Sequence, residues 1–108
     1  MMLHIQHQAV TIELDLRERI ILYLDQDLPL PKNEYDTAAL PRTAVHMIKH
    51  FDAPQVAIYR VLKELQEEQA VESYHIGLHT KAKGYHTTVH VLTPEGKLLA
   101  EAIRRRAT

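Results

Sequence analysis

The chain has 108 residues, a length that fits one domain with one modest core. Hydrophobic residues make up 45% and charged residues 25%, the balance of an ordinary globular domain. No apolar run approaches the roughly 18 residues needed to span a bilayer, no signal-peptide pattern opens the chain, and the absence of Cys excludes disulfides and thiolate metal sites. A cytoplasmic protein with no membrane association is the expectation. The formal net charge is -1 with His neutral, so any role on phosphate depends on where the charges sit rather than on their sum. Acidic residues gather at Glu13, Asp15, Glu18, Asp25 and Asp27, and again at Glu64, Glu67, Glu68 and Glu72. Basic residues gather at Arg60, Lys63, Lys81, Lys83 and Arg104-Arg105-Arg106.

In chain order, residues 1–14 alternate loosely and read as an extended arm or a strand ahead of the rest of a single domain spanning 1–108. Asp15 suits the N-cap of a helix running to about Asp27, with Leu16, Ile20, Ile21 and Leu24 as its buried stripe. Leu28-Pro29-Leu30-Pro31 ends it, because Pro disfavours helix in the residue before it. Residues 32–40 read as a loop with a short extended segment at 35–39. Pro41 suits a first helical turn, where its missing N–H costs nothing. This predicts a helix from Arg42 to about His50 that buries Ala44, Val45, Ile48 and Phe51. Asp52 is placed to N-cap the next helix, about 54–69, whose stripe is Ile58, Val61, Leu62 and Leu65.

A ribbon follows. Tyr74, Ile76 and Leu78 alternate with His75, Gly77 and His79, and Tyr85, Thr87, Val89 and Val91 alternate with His86, Thr88 and His90. With Ala82-Lys83 as the loop, Ile76 faces Val89, Tyr74 faces Val91, His75 faces His90 and His79 faces His86. Directly opposed residues share a face, so this register gives one apolar face and one carrying four histidines. Thr93-Pro94-Glu95 then opens a terminal helix with an N-cap, a first-turn Pro and an acid at the positive helix end. Its expected seam is Leu98, Leu99 and Ala102, with Arg104–Arg106 at the negative end.

A helix pair with a short connection, a basic-tipped hairpin and a returning helix make an α+β domain. The layout is that of a winged helix-turn-helix, with three to four helices and a two-stranded β wing. The run from Ile58 to Ser73 (Ile-Tyr-Arg-Val-Leu-Lys-Glu-Leu-Gln-Glu-Glu-Gln-Ala-Val-Glu-Ser) resembles the recognition helix and start of the wing in PadR-like transcriptional regulators. Leu92-Thr93-Pro94-Glu95-Gly96-Lys97 resembles the segment after the wing that they share with MarR-like regulators, and Tyr59-Arg60-x-Leu62 is similar to the DNA-binding helix of the Fur family. Such families place Gly where Ala70 stands. The resemblance implies a sequence-specific, double-stranded DNA-binding regulator acting as a homodimer on palindromic sites. With no nucleophile–base arrangement, Gly-rich phosphate loop or paired carboxylates in the sequence, neither an enzyme nor a cofactor is expected.

The implied contacts are Gln55, Val56, Tyr59, Arg60 and Lys63 in the major groove, with Gln55 suited to adenine edges and Arg60 to guanine. Lys81 and Lys83 in the wing, 79–86, would meet backbone phosphate or the minor groove, and Arg42 and Lys49 would position the backbone. Arg104–Arg106 suit capping better than DNA contact. Two other readings stay open. The acidic 64–72 surface suits a protein-interaction module with a basic partner. His75, His79, His86 and His90 suit a metal- or pH-responsive regulator, although exposed strand histidines without an accompanying carboxylate are the plainer interpretation.

Overall fold

Helix α1, Leu16–Leu24, opens on a capping box. The Asp15 carboxylate accepts from the Glu18 N–H at 2.8 Å, and the Glu18 carboxylate accepts from the Asp15 N–H at 3.1 Å. These features belong to a computed structural model that describes residues 13–33, 36–78 and 85–107. The possible arm or strand at the N-terminus lies almost wholly outside the described residues. α1 stops at Leu24, short of the expected Asp27, and buries Ile20, Ile21, Tyr23 and Leu24.

The segment before the second α-helix departs from expectation. Pro41 lies inside a 3-10 helix, Thr37–Arg42, rather than in the first turn of an α-helix. Asp36 organises this turn by accepting from the Lys32 N–H at 2.9 Å and the Ala38 N–H at 3.1 Å. These two bonds hold its carboxyl below the usual carboxylate range. Thr43 is extended, forms an isolated antiparallel bridge with Val89, and caps α2, Ala44–Phe51. Its hydroxyl donates to the Leu40 carbonyl at 2.7 Å and accepts from the His46 N–H at 3.4 Å. α2 buries Ala44 and Met47, with Ile48 and Phe51 half-buried. Val45, expected inside, is 52% exposed.

Asp52 also changes role. It ends α2 with φ 50 and ψ 47, a left-handed conformation that short polar side chains tolerate, and so it cannot open the next helix. Helix α3, Gln55–Glu67, begins after Pro54 without a side-chain cap and buries Ile58, Leu62 and Leu65, with Val61 half-buried. The turn after α3 solves the question raised by Ala70. Gln69, not Ala70, takes the positive φ, at 64°, and Ala70 is buried with its N–H donating to the Leu65 carbonyl at 2.8 Å.

Strands β1, Val71–Leu78, and β2, Tyr85–Leu92, form an antiparallel pair. The register differs from the expected one by two residues: Ile76 faces Thr87, Tyr74 faces Val89, His75 faces Thr88, Ser73 faces His90 and Gly77 faces His86. A two-residue slip preserves which residues share a face, because side chains alternate with period two. The ribbon's base sets the register. Thr93 donates its N–H to the Ala70 carbonyl at 3.0 Å and its hydroxyl to the Gln69 carbonyl at 2.6 Å, which aligns Val71 with Leu92. The expected Ala82-Lys83 loop lies outside the described residues.

Helix α4, Pro94–Ala107, is capped by the Thr93 hydroxyl, which accepts from the Gly96 N–H at 3.1 Å. The seam is Gly96, Leu99, Ala100 and Ile103, while Leu98 and Ala102 face outward, against expectation. Gly96 decides this orientation, since a Cβ there would lie 2.1 Å from the Ala70 carbonyl oxygen. The main core joins residues from all four α-helices to Val71 and Leu92 at the ribbon's base. A second, smaller cluster of Ala39, Ile76 and Val89 lies between the 3-10 helix and the ribbon, with Leu40 packed against it. No helix among the described residues is long and apolar enough to cross a membrane.

Candidate nucleic-acid interface

The short connection 52–54 sets α2 and α3 against each other, and their buried stripes meet in the main core. At about 100° per residue, the opposite side of α3 gathers Gln55, Val56, Tyr59, Arg60 and Lys63 within one arc of about 140°. All five are exposed, Val56 at 72% and Tyr59 at 48%. Lys49 is exposed on α2. From Ala44 to Lys63 the only carboxylate is Asp52, so three cations lie in a stretch almost without acids. The chain's near-neutral total conceals this separation.

Acids begin immediately afterwards, and two of them are engaged. Glu68 pairs with Arg17 of α1 at 2.6 Å, and Glu72 accepts from the Tyr74 hydroxyl at 2.6 Å. That bond, with the charge of Glu72, raises the Tyr74 phenol above its ordinary range. The terminal arginines are likewise held within the chain. Arg104 pairs with Asp25, Arg106 with Glu18, and Arg105 with Glu101 at 3.4 Å.

Arg42 corrects the expected set. Its guanidinium is inside the protein, with the residue only 4% exposed, and so is not placed to meet a phosphate. Nε donates to the Pro29 carbonyl at 2.9 Å and Nη2 to the Leu28 carbonyl at 2.8 Å. Nη1 reaches the Leu24 carbonyl at 3.3 Å and the His90 carbonyl at 3.5 Å. Burial lowers its pKa, and the adjacent Tyr23 acts in the opposite direction. Tyr23 donates its hydroxyl to the Pro41 carbonyl at 2.6 Å, and desolvation raises its pKa. A structural arginine and a phosphate-binding arginine look alike in a sequence.

The histidine face does not stand as a uniform surface. His75 is exposed, with Nδ1 3.1 Å from the Thr88 hydroxyl, whereas His90 is 6% exposed. Desolvation lowers the His90 pKa to about 4, so its ring is neutral at ordinary pH. The Gln66 amide of α3 donates to the Ser73 hydroxyl, which lies 2.8 Å from His90 Nδ1. His90 also lines a cavity of about 190 Å³ with Ala44, Val45, Tyr59, Thr87 and Thr88. Among the described residues no three His, Asp or Glu side chains gather to hold a metal. His79, Lys81 and Lys83 lie outside the described residues, as does the side chain of His86.

The helix pair, ribbon and returning helix superpose on solved structures. ZitR of Lactococcus lactis, solved as a cysteine-to-serine mutant, matches with a TM-score of 0.57 at 16% identity, over 89% of this chain and 57% of ZitR. AdcR, the adhesin competence repressor of Streptococcus pyogenes, matches with a TM-score of 0.54 at 19% identity, over 94% of this chain and 63% of AdcR. The fold is a winged helix-turn-helix. A candidate DNA-binding protein from Ralstonia eutropha JMP134 also matches, with a TM-score of 0.50 at 16% identity, over 84% of this chain and 98% of that one. The chain therefore spans less than two thirds of ZitR and AdcR. No family model and no curated protein matches the chain.

Within the winged helix-turn-helix, α2 and α3 are the helix-turn-helix pair and β1–β2 is the wing. The sequence-predicted residues of α3 come together on one side of this unit. Lys49 stands on the preceding helix, and Arg42 is removed to the interior. Sequence reading missed Ser73 and Gln66 as supports of the wing's base. Their i, i+7 separation across a helix end and a strand has no periodic signal.

Proposed function

We propose that this chain is a sequence-specific, double-stranded DNA-binding transcriptional regulator that acts in the cytoplasm by binding rather than catalysis. The observation that carries the reading is the outward side of α3: Gln55, Val56, Tyr59, Arg60 and Lys63 are exposed together, in a stretch free of carboxylates. Positive charge without acids over the N-terminal part of the helix, ahead of Glu64 and Glu67, is what phosphate-flanked recognition needs there. Gln55 addresses adenine edges, Arg60 guanine O6 and N7, and Tyr59 a phosphate oxygen. Lys49 positions the backbone, and Lys81 and Lys83, between the wing strands in sequence, contact backbone or the minor groove. The whole chain acts as one domain and pairs as a homodimer, whose two-fold axis matches a palindromic site. The repressor function in the name of AdcR, and the DNA-binding description of the Ralstonia protein, are of the same kind.

Fluorescence anisotropy with a duplex library, across salt concentrations, tests the reading. The wild type binds with an affinity that falls as salt rises. Arg60→Ala weakens binding about tenfold or more, the worth of one bidentate base contact. Lys81→Ala lowers the salt slope by about one. Equal, weak binding by the wild type and both variants at every salt concentration overturns the proposal.

A further inference from the structure

Three large hydrophobic side chains are exposed on the helix-turn-helix pair: Val45, Val56 and Tyr59. Val45 and Tyr59 border the small cavity shared with Thr87, Thr88 and His90, so part of their apolar surface is turned toward the wing. Val56 does not line that cavity. At 72% exposure it presents its methyl groups outward from the first turn of α3, with Gln55 beside it and Arg60 one turn along. An apolar β-branched side chain held in water costs hydration and contributes nothing to this domain's core. Its χ1 is stiff, so the methyls point in a fixed direction.

We infer that Val56 reads the C5-methyl group of thymine, making the first turn of α3 selective for A·T base pairs. The inference rests on the DNA-binding reading above. In the major groove thymine alone presents a methyl, whereas other base edges there present donors and acceptors. A valine set against those would leave them without partners, a penalty that disfavours the wrong base. Gln55, next in the chain, suits the N6 and N7 of adenine, so both residues favour the same base pair. The cations Arg60 and Lys63 and the absence of carboxylates from Ala53 to Lys63 make a DNA groove the fitting occupant of this apolar point.

The test uses the full chain and duplexes enriched by it from a random-sequence library. An enriched duplex is then remade with deoxyuridine in place of thymidine, which removes the methyl groups and leaves charge and Watson–Crick pairing intact. The wild type binds the deoxyuridine duplex about fourfold more weakly, the worth of one methyl-sized apolar contact. Val56→Ala binds the thymidine duplex more weakly and loses most of the preference between the two. Equal wild-type affinity for both duplexes overturns the inference while leaving DNA binding intact. So does a Val56→Ala variant that keeps the wild-type ratio, since the methyl effect then arises from DNA shape. If no duplex is enriched at all, both this inference and the reading beneath it fall.

Discussion

His90 illustrates how one residue ties stability to pH. Its ring is enclosed between the wing's base and the helix-turn-helix pair, with Nδ1 2.8 Å from the Ser73 hydroxyl. The folded pKa of about 4 lies below the ordinary 6.5, so the unfolded chain binds the proton more readily. Stability is therefore fully present above pH 6.5 and is lost as pH falls toward 4, levelling off below that. The whole shift corresponds to roughly 3 kcal/mol. Denaturant unfolding at pH 7.0 and at about pH 4.5 measures this. The expected result is a steeper loss in the wild type than in His90→Gln, which lacks the titrating ring. Matching slopes would show that His90 is not a source of the acid sensitivity. The sequence offered four histidines on one face of the ribbon and no sign that one of them was enclosed.

At the scale of elements, α4 shows where pattern reading fails and why. Leu98, Leu99 and Ala102 look like the better seam because of their apolar character and spacing, yet Leu98 and Ala102 face solvent. The docking is set by backbone contact: Gly96 lies directly against the Ala70 carbonyl, with the Leu92 side chain 2.9 Å from its would-be Cβ. Gly96→Ala is thus expected to destabilise the domain by about 2 kcal/mol or more, since the Ala70 backbone cannot move aside cheaply. A thermal melt reads this as a fall in Tm of roughly 10 °C. A Tm unchanged within error would mean that α4 can shift without cost. α3 was legible for the opposite reason. Its stripe of Ile58, Val61, Leu62 and Leu65 is set by side-chain burial at the 3.6-residue period, and the face left over is the candidate site. The ribbon's alternation was legible too, but not its register, because a slip of two residues leaves every side chain on the same face.

For the molecule as a whole, the charge of -1 conceals a division of labour. Arginines of α1 and α4 are matched by acids at the ends of α1 and α3, as in Arg104–Asp25, Arg106–Glu18 and Arg17–Glu68. Lys49, Arg60 and Lys63 instead lie in the stretch 44–63, whose one carboxylate is Asp52, with Glu64 and Glu67 following one turn further along α3. The ion pairs between α1 and α4 are partly exposed, so each adds only about 0–1 kcal/mol. Raising salt from roughly 0.05 to about 0.5 M is accordingly expected to move Tm by no more than a few degrees. Over the same range affinity for DNA falls by orders of magnitude if the helix-turn-helix pair binds phosphate. Melting and anisotropy on one sample, across that range, separate the two effects. A large salt-dependent drop in Tm would place the electrostatics in the fold rather than in the binding face.

Arg42 carries a consequence beyond its own burial. Its fork takes hold of carbonyls from the end of α1, the loop after it and the second wing strand. Thr43, next to it, bridges the same strand and caps α2, while Thr93 ties the base of the wing to the turn that closes α3. The root of the wing is thus clamped from three sides, and its inclination to α3 is fixed when the chain folds. If the chain binds DNA as proposed, a duplex approaching this pair would meet a gauge of preset opening, and association would require little ordering of the base of the wing. DNA whose groove spacing did not suit that opening would itself have to bend, and sequence-dependent stiffness would then become part of what such a protein distinguishes.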